Sequence, residues 1–216
     1  MHRTRLLMTL AVLVVALALP SVAGAQALGI NYFDNANGTL PDGTVRITTP
    51  HLRILGTGLG AGHGPDQCAL IYVLKPDQEI AACCGCKLTP NALLKLSVNT
   101  DLTANTLSGI LTGGTIAIVP SLPNGVILPP ATVSTSCDAG RPPIATRATV
   151  GTAFVTAWAT HVQDSGAITE DDFDFSTDAG ALSTVTALWE DCTVNVEGNG
   201  SSSGVCTCGS GSATPW

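Results

Sequence analysis

The sequence predicts a mainly β fold: a single β-sandwich-like domain with one helix in its C-terminal half, stapled by disulfides. Three observations lead to this prediction. The chain is 45% hydrophobic and only 12% charged, and it is rich in small and β-branched residues that suit pleated, half-buried surfaces. Several short segments alternate apolar and polar residues with a period of two. Eight cysteines follow an N-terminal export signal: Cys68, Cys83, Cys84, Cys86, Cys137, Cys192, Cys206 and Cys208.

Seven short segments have the apolar or alternating character of strands: 28–33, 44–48, 69–74, 79–86, 93–98, 115–119 and 126–128. A Lys-Pro-Asp turn separates 69–74 from 79–86, so these two segments are predicted to form a hairpin.

The longest β pattern covers residues 146–162. Its seventeen residues exceed the usual strand of about 5–6, so a bend or bulge is expected. Trp158 lies on the face opposite Ala157 and Ala159, and we expect its ring, like that of Trp189, to anchor the core. After this segment, apolar residues at helical spacing predict one helix near 178–191.

Residues 1–25 are predicted to form a signal peptide. Arg3 and Arg5 precede an apolar run over 6–19, and small residues follow at 23–25. Cleavage is expected before Gln26, with cleavage before Leu28 as the alternative. The apolar run is shorter than the roughly 20 residues that cross a bilayer. The mature chain is therefore expected to be exported, to the periplasm or outside the cell, without stable membrane insertion. It would comprise one domain over 26–208 and a flexible tail over 209–216.

The charge balance excludes two classes of partner. The chain has 9 Lys and Arg against 16 Asp and Glu, and cleavage removes two arginines and no acid, so the mature net charge is (9 − 2) − 16 = −9. Nucleic acids and anionic membranes require basic surfaces. We therefore expect neither as a partner.

The cysteines are predicted to form disulfides, because an even number in an exported chain indicates an oxidising compartment. Side chains two apart on a strand share a face. A ladder joining Cys84 and Cys86 to Cys206 and Cys208 is therefore the natural arrangement. The remaining four would pair as Cys68–Cys83, across the hairpin, and Cys137–Cys192. This is one of 105 possible schemes.

A zinc site is the alternative interpretation of the cysteines. Four thiolates from two Cys-x-Cys pairs could hold Zn²⁺ tetrahedrally. The spacings differ from the Cys-x-x-Cys of zinc ribbons, and export favours oxidation, so disulfides are preferred.

An acidic run is the main candidate calcium site, ahead of a weaker one in the loop 34–42, and is formed by Glu170, Asp171, Asp172, Asp174 and Asp178. Carboxylate oxygens in a loop suit Ca²⁺, but this spacing does not match an EF-hand. The favoured interpretation is an exposed acidic turn that leads into the helix, with Asp178 or Thr177 as the N-cap. Apart from this Ca²⁺, no cofactor is expected.

The sequence does not favour an enzyme. The mature chain has three histidines, His51, His63 and His161, without a metal-binding spacing, and no Gly-x-Ser-x-Gly elbow occurs. A secreted hydrolase would require His161 or His63 to meet carboxylates in a polar pocket.

Six motifs occur in a characteristic order: 68–73, 83–86, 89–91, 96–103, 157–161 and 206–209. In this order, and above all in the Cys-Cys-x-Cys, Ala-Trp-Ala-Thr-His and Cys-Thr-Cys-Gly motifs, the chain resembles secreted, cysteine-rich bacterial proteins of unknown function. The resemblance implies an exported, cysteine-stapled protein and no particular activity.

The favoured function is therefore an exported, non-catalytic structural or surface protein. Its expected partners are copies of itself, with exposed sheet edges suited to self-assembly, or other surface and matrix proteins. The alternative is an extracellular module that binds Ca²⁺ or glycan. A secreted hydrolase ranks third.

Overall fold

The computed structural model describes residues 27–34, 43–48, 66–89, 92–109, 111–123, 136–140, 155–163, 165–176, 179–200 and 202–209. The predicted signal peptide, the strand at 126–128, residues 210–216 of the tail, His51, His63, Thr177 and Asp178 lie outside these residues.

Within the described part of the chain, nine strands and one α-helix form the predicted mainly β sandwich. The strands are β1 (Leu28–Asp34), β2 (Thr44–Thr48), β3 (Gln67–Leu74), β4 (Ile80–Leu88), β5 (Leu93–Ser97), β6 (Gly113–Ser121), β7 (Thr156–Val162), β8 (Ile168–Asp172) and β9 (Asp174–Ser176), and the helix is α1 (Ala179–Asp191). Two π-helical turns follow β5 and α1, at Val98–Leu102 and Cys192–Glu197.

The strands form two antiparallel sheets. Sheet A has the order β4-β3-β6-β1-β9, and sheet B has the order β5-β2-β7-β8. Alternate residues of both sheets meet in the core between them: Val45 and Ile47 of β2, for example, are fully buried there. This is the face-to-face packing of a β-sandwich.

Helix α1 covers the other face of sheet A. Ala181, Val185 and Leu188 are buried in a second core against that sheet, and Trp189 packs half-buried beside them. The interior strand β3 therefore lies between sheet B and α1, and all eight of its residues are buried. A strand that is covered on both faces is apolar at nearly every position, which accounts for the unbroken apolar run at 68–74.

The segment expected to be an acidic turn is instead two strands. β8 is the edge of sheet B, β9 is the edge of sheet A, and one residue, Phe173, joins them. Phe173 is buried between the sheets, and its N–H donates to the carbonyl of Ala157 at 2.9 Å. The chain therefore crosses directly from one sheet to the other at this corner. Of the long pattern at 146–162, β7 accounts for 156–162, and residues 146–154 lie outside the described residues.

Candidate functional site

The cysteines of β4 divide between its two faces. Cys84 and Cys86 point into the core between the sheets, whereas Cys83 points towards α1. This division follows from the period of two along a strand. Each face of β4 is consequently bonded to a different part of the chain.

The cysteine ladder, which we define as Cys84, Cys86, Cys206 and Cys208, forms as predicted. Cys84 bonds Cys206 and Cys86 bonds Cys208, with Cα atoms 5.2 and 5.5 Å apart. All four side chains are at most 2% exposed. The ladder fixes the C-terminal segment, residues 202–209, against the edge of the sandwich.

Backbone hydrogen bonds hold the C-terminal segment in the same place. The N–H of Cys83 donates to the carbonyl of Gly204 at 2.8 Å, and the N–H of Cys206 donates to the carbonyl of Cys83 at 3.3 Å. The N–H of Thr207 donates to the carbonyl of Asp101 at 2.8 Å. Gly204 adopts a φ of +84°, a conformation that glycine reaches without strain. The segment therefore covers the outer edge of β4 and also contacts the turn after β5.

The other two predicted disulfides are wrong. The structure pairs Cys68 with Cys137 and Cys83 with Cys192, with Cα atoms 5.5 and 6.1 Å apart. In the hairpin, Cys68 lies opposite Lys87, and the residue opposite Cys83 is Tyr72. Cys68 and Cys83 are thus four rows apart, about 13 Å along the strands. A disulfide requires Cα atoms within about 7 Å, so the two cysteines cannot bond.

The glycine within the Cys-Cys-Gly-Cys cluster makes room for the segment that carries Cys137. A Cβ atom at Gly85 would overlap the carbonyl group of Cys137. Gly85 thus lets residues 136–140 pass directly over β4. The Cys-Cys-Gly-Cys motif therefore places disulfides on both faces of β4 and, at its glycine, lets another stretch of backbone come close to the strand.

A buried tyrosine anchors the same segment. The hydroxyl of Tyr72 donates to the carbonyl of Ala139 at 2.9 Å, and the side chain is fully buried. Burial raises the pKa of Tyr72 well above its usual value, and the carboxylates of Asp138 and Glu197 raise it further. Tyr72 consequently stays protonated and serves as a hydrogen-bond donor.

The acidic residues of the predicted calcium site are spread along the two edge strands. Glu170, Asp171 and Asp172 lie on β8, and Asp174 follows on β9. Successive β8 side chains point to opposite faces, and Glu170 pairs with Arg46 at 3.0 Å. Among the described residues, no three carboxylates bring oxygen atoms within 4.8 Å of one another. The one set of potential metal ligands that meets this limit consists of Cys84, Cys86 and Cys208. The described members of the run, Glu170 to Asp172 and Asp174, therefore do not converge on one calcium position.

His161, the one described histidine of the predicted hydrolase site, is buried. It is 4% exposed and lies on the same face of β7 as Ala157 and Ala159. The ring of Tyr32 stacks on it, with centroids 4.5 Å apart and the planes within 10°. Tyr32 itself is 55% exposed. The histidine is thus covered by an aromatic ring on the surface.

Trp158 does not anchor the core, contrary to expectation. Its neighbours Ala157 and Ala159 face the core, so Trp158 faces outward from sheet B, where it is half-buried. Strand register aligns four outward-facing residues across the sheet, one from each strand: Lys95, Arg46, Trp158 and Asp172. We call these four residues the tryptophan row. The alternation of side chains along β7 already implied that Trp158 faces outward. Lys95 and Arg46, the basic residues of the row, come from strands distant in sequence, so their position beside β7 could not be read from that alternation.

Comparison with protein-family models, curated proteins and solved structures found no match to the chain. Among the described residues, no helix is long and apolar enough to cross a membrane. The four disulfides indicate an oxidising, extracytoplasmic environment.

Proposed function

We propose that the protein is an exported, non-catalytic structural domain that works at a surface outside the cytoplasm. The observation behind this proposal is the distribution of the four disulfides. All of them connect the β3–β4 hairpin to later parts of the chain: to residue 137, to residue 192 and to the C-terminal segment.

This degree of cross-linking exceeds what folding alone requires. Disulfides become essential for domains below about 40 residues, which cannot bury enough surface. This chain buries two separate apolar cores, one between the sheets and one beneath α1. Four added cross-links therefore favour a role in which persistence under harsh conditions matters.

Three of the four sheet edges, those of β4, β8 and β9, favour a discrete domain over a polymer built by strand addition. The outer edge of β4 is covered around Cys83 by the C-terminal segment. β8 is acidic at three of its five positions, and β9 has three residues. Charge, shortness and coverage are the usual protections of edge strands against pairing with other chains. Association with itself or with other surface and matrix proteins would then use the faces of the sheets.

Electron microscopy and proteolysis test this proposal. The native protein, purified without reductant, is expected to show discrete particles and to resist proteases that digest it after reduction. Thiol counting supplies the control, with no free thiol expected before reduction and eight after it. Filaments would overturn the discrete-domain proposal, and equal protease sensitivity before and after reduction would overturn the structural role of the disulfides.

Carbohydrate binding is a second candidate, favoured by the tryptophan row. An outward-facing indole offers an apolar face, and Lys95 and Asp172, at the two ends of the row, are exposed hydrogen-bonding groups. Neighbouring strands lie about 4.8 Å apart, so the four residues span roughly 14 Å, the length of a few sugar rings. Such a surface suits a neutral oligosaccharide that lies across the strands.

Titration calorimetry with soluble β-linked hexasaccharides of glucose and of N-acetylglucosamine tests this candidate. Trp158→Ala is expected to weaken binding at least ~10-fold, equal to about 1.4 kcal/mol. Tyr32→Ala removes an exposed aromatic from the other sheet and serves as the matched control, with unchanged binding expected. Absence of binding by the unmodified protein, or equal losses in both variants, would exclude the tryptophan row as a binding site for these glycans.

A further inference from the structure

Three of the four sulfur atoms of the cysteine ladder form one compact cluster. The Sγ atoms of Cys84, Cys86 and Cys208 all lie within 4.8 Å of one another. The sulfur of Cys206 lies outside this group of three but is bonded to Cys84, so it is adjacent to the group. The cluster lies in the core between the sheets.

We propose that the reduced ladder is a tetrahedral binding site for a thiophilic divalent metal ion of the Zn²⁺ class. Zinc–thiolate bonds of about 2.3 Å place the sulfurs of a tetrahedral site about 3.8 Å apart. The three closest sulfurs already satisfy the wider limit of 4.8 Å. Each Cys-x-Cys arm supplies two ligands from one face, and Cys83, which points towards α1, is excluded from the site.

The two arms are held together by more than their disulfides. The hydrogen bonds between Cys83 and the C-terminal segment, and between Thr207 and Asp101, involve no sulfur. The N–H of Ser97 donates to Asp101 Oδ2 at 2.7 Å and fixes the turn on which Thr207 rests. Reduction therefore leaves a framework that keeps the four thiols facing one another.

Metal binding and oxidation compete for the same atoms. A newly exported chain carries four ladder thiols, and binding of one M²⁺ releases four protons as four thiolates form. Oxidation transfers four electrons to the disulfide-forming catalysts of the compartment and creates two S–S bonds. From the free thiols it also releases four protons, and from the metal-bound thiolates it releases M²⁺ instead. The metal-bound and disulfide-bonded states are therefore mutually exclusive ways of holding the C-terminal segment against β4. This inference is independent of the structural role proposed above.

Cobalt titration of the full mature chain, kept reduced with a phosphine under anaerobic conditions, tests the proposal. One equivalent of Co²⁺ is expected to give thiolate charge-transfer bands and the intense visible bands of tetrahedral cobalt. One equivalent of Zn²⁺ is expected to displace it, because zinc binds such sites more tightly. In the air-oxidised protein, no cobalt should bind.

Paired variants identify the ligands. Cys206→Ser with Cys208→Ser removes half of the site and is expected to weaken cobalt binding at least ~100-fold, since changes beyond the ligands already cost 10–100-fold. Cys68→Ser with Cys137→Ser is the matched control, which should bind like the unmodified chain. Circular dichroism monitors folding throughout.

Three results would overturn the inference. The first is an unchanged cobalt spectrum after loss of Cys206 and Cys208. The second is equal loss in the control pair. The third is a reduced chain that neither binds one equivalent nor gains β structure when metal is added.

Discussion

Loss of one bond of the cysteine ladder is expected to destabilise the protein about half as much as loss of the Cys68–Cys137 bond. Sequence separation alone suggests the opposite, since Cys86 and Cys208 are 122 residues apart and Cys68 and Cys137 are 69 apart. The reason is that Cys84–Cys206 already closes nearly the same loop. With that bond present, Cys86–Cys208 closes a ring of about 6 residues, namely 84–86 and 206–208.

The chain-entropy relation gives the magnitudes. A ring of about 6 residues corresponds to about 2.2 kcal/mol at 25 °C, and a loop of about 70 residues to about 4.4 kcal/mol. No other disulfide shortens the Cys68–Cys137 loop, since the path through Cys83–Cys192, from 68 to 83 and then from 192 back to 137, is no shorter. Both pairs are buried, so truncation to alanine adds a similar cost to each.

Equilibrium urea denaturation of the two double-alanine variants, without reductant, measures the free energies of unfolding. The variant lacking both ladder bonds completes the cycle. With Cys83–Cys192 still present, the first ladder bond to form closes a ring of about 17 residues, and the second closes the ring of about 6 residues. Loss of both bonds is therefore expected to cost about 5.3 kcal/mol. This exceeds the sum of the two single losses by about 1 kcal/mol, which is the coupling between the bonds. A larger loss for the Cys86–Cys208 pair than for Cys68–Cys137, or zero coupling between the ladder bonds, would refute the reasoning.

Three further outcomes are expected. Sequencing of the mature N-terminus should give Gln26 and not Leu28, because Ala27 is buried and its backbone N–H donates to the carbonyl of Ser176 in β9; detection of Leu28 would show that the mature protein lacks this hydrogen bond. Tyr72→Phe should cost about 1 kcal/mol at neutral pH by loss of one hydrogen bond. Burial raises the pKa of Tyr72 in the folded state, so above pH ~10 this tyrosine ionises in the unfolded chain before it ionises in the folded protein. The free energy of unfolding should therefore fall with pH more steeply in the unmodified protein than in the phenylalanine variant, by up to ~1.4 kcal/mol per pH unit. Urea titrations across that pH range measure the difference. Asp171→Val should promote association measured by light scattering, since it removes a charge from an edge strand, and a variant as monodisperse as the parent would argue against that protective role.

Local sequence patterns predicted the parts of the fold that depend on local physics. The alternation in 44–48 gives β2 with the expected ends, and the helical spacing of apolar residues gives α1. The ladder followed from parity alone, because residues two apart on extended segments share a face wherever the segments lie.

The predictions that failed required knowledge of how distant segments meet. β8 is exposed at every position and therefore has no apolar alternation that would reveal a strand. The partner of Cys68 depends on hairpin register and on where residues 136–140 cross the sheet, neither of which is a local property. The tryptophan row likewise joins Trp158 to Arg46 and Lys95 through a register that no single strand encodes.

The ladder also determines how the domain would respond to tension between its ends. A force applied at residues 27 and 209 passes through Cys84–Cys206 and bypasses the chain between them. Only the stretches 27–84 and 206–209 could then extend. They make up about a third of the chain between the two points, so the greatest end-to-end length falls to about a third of that of the reduced chain. The bypassed part, which includes α1, β6 and most of sheet B, would remain slack while the N-terminal strands unravel. The domain would thus behave as a short tether.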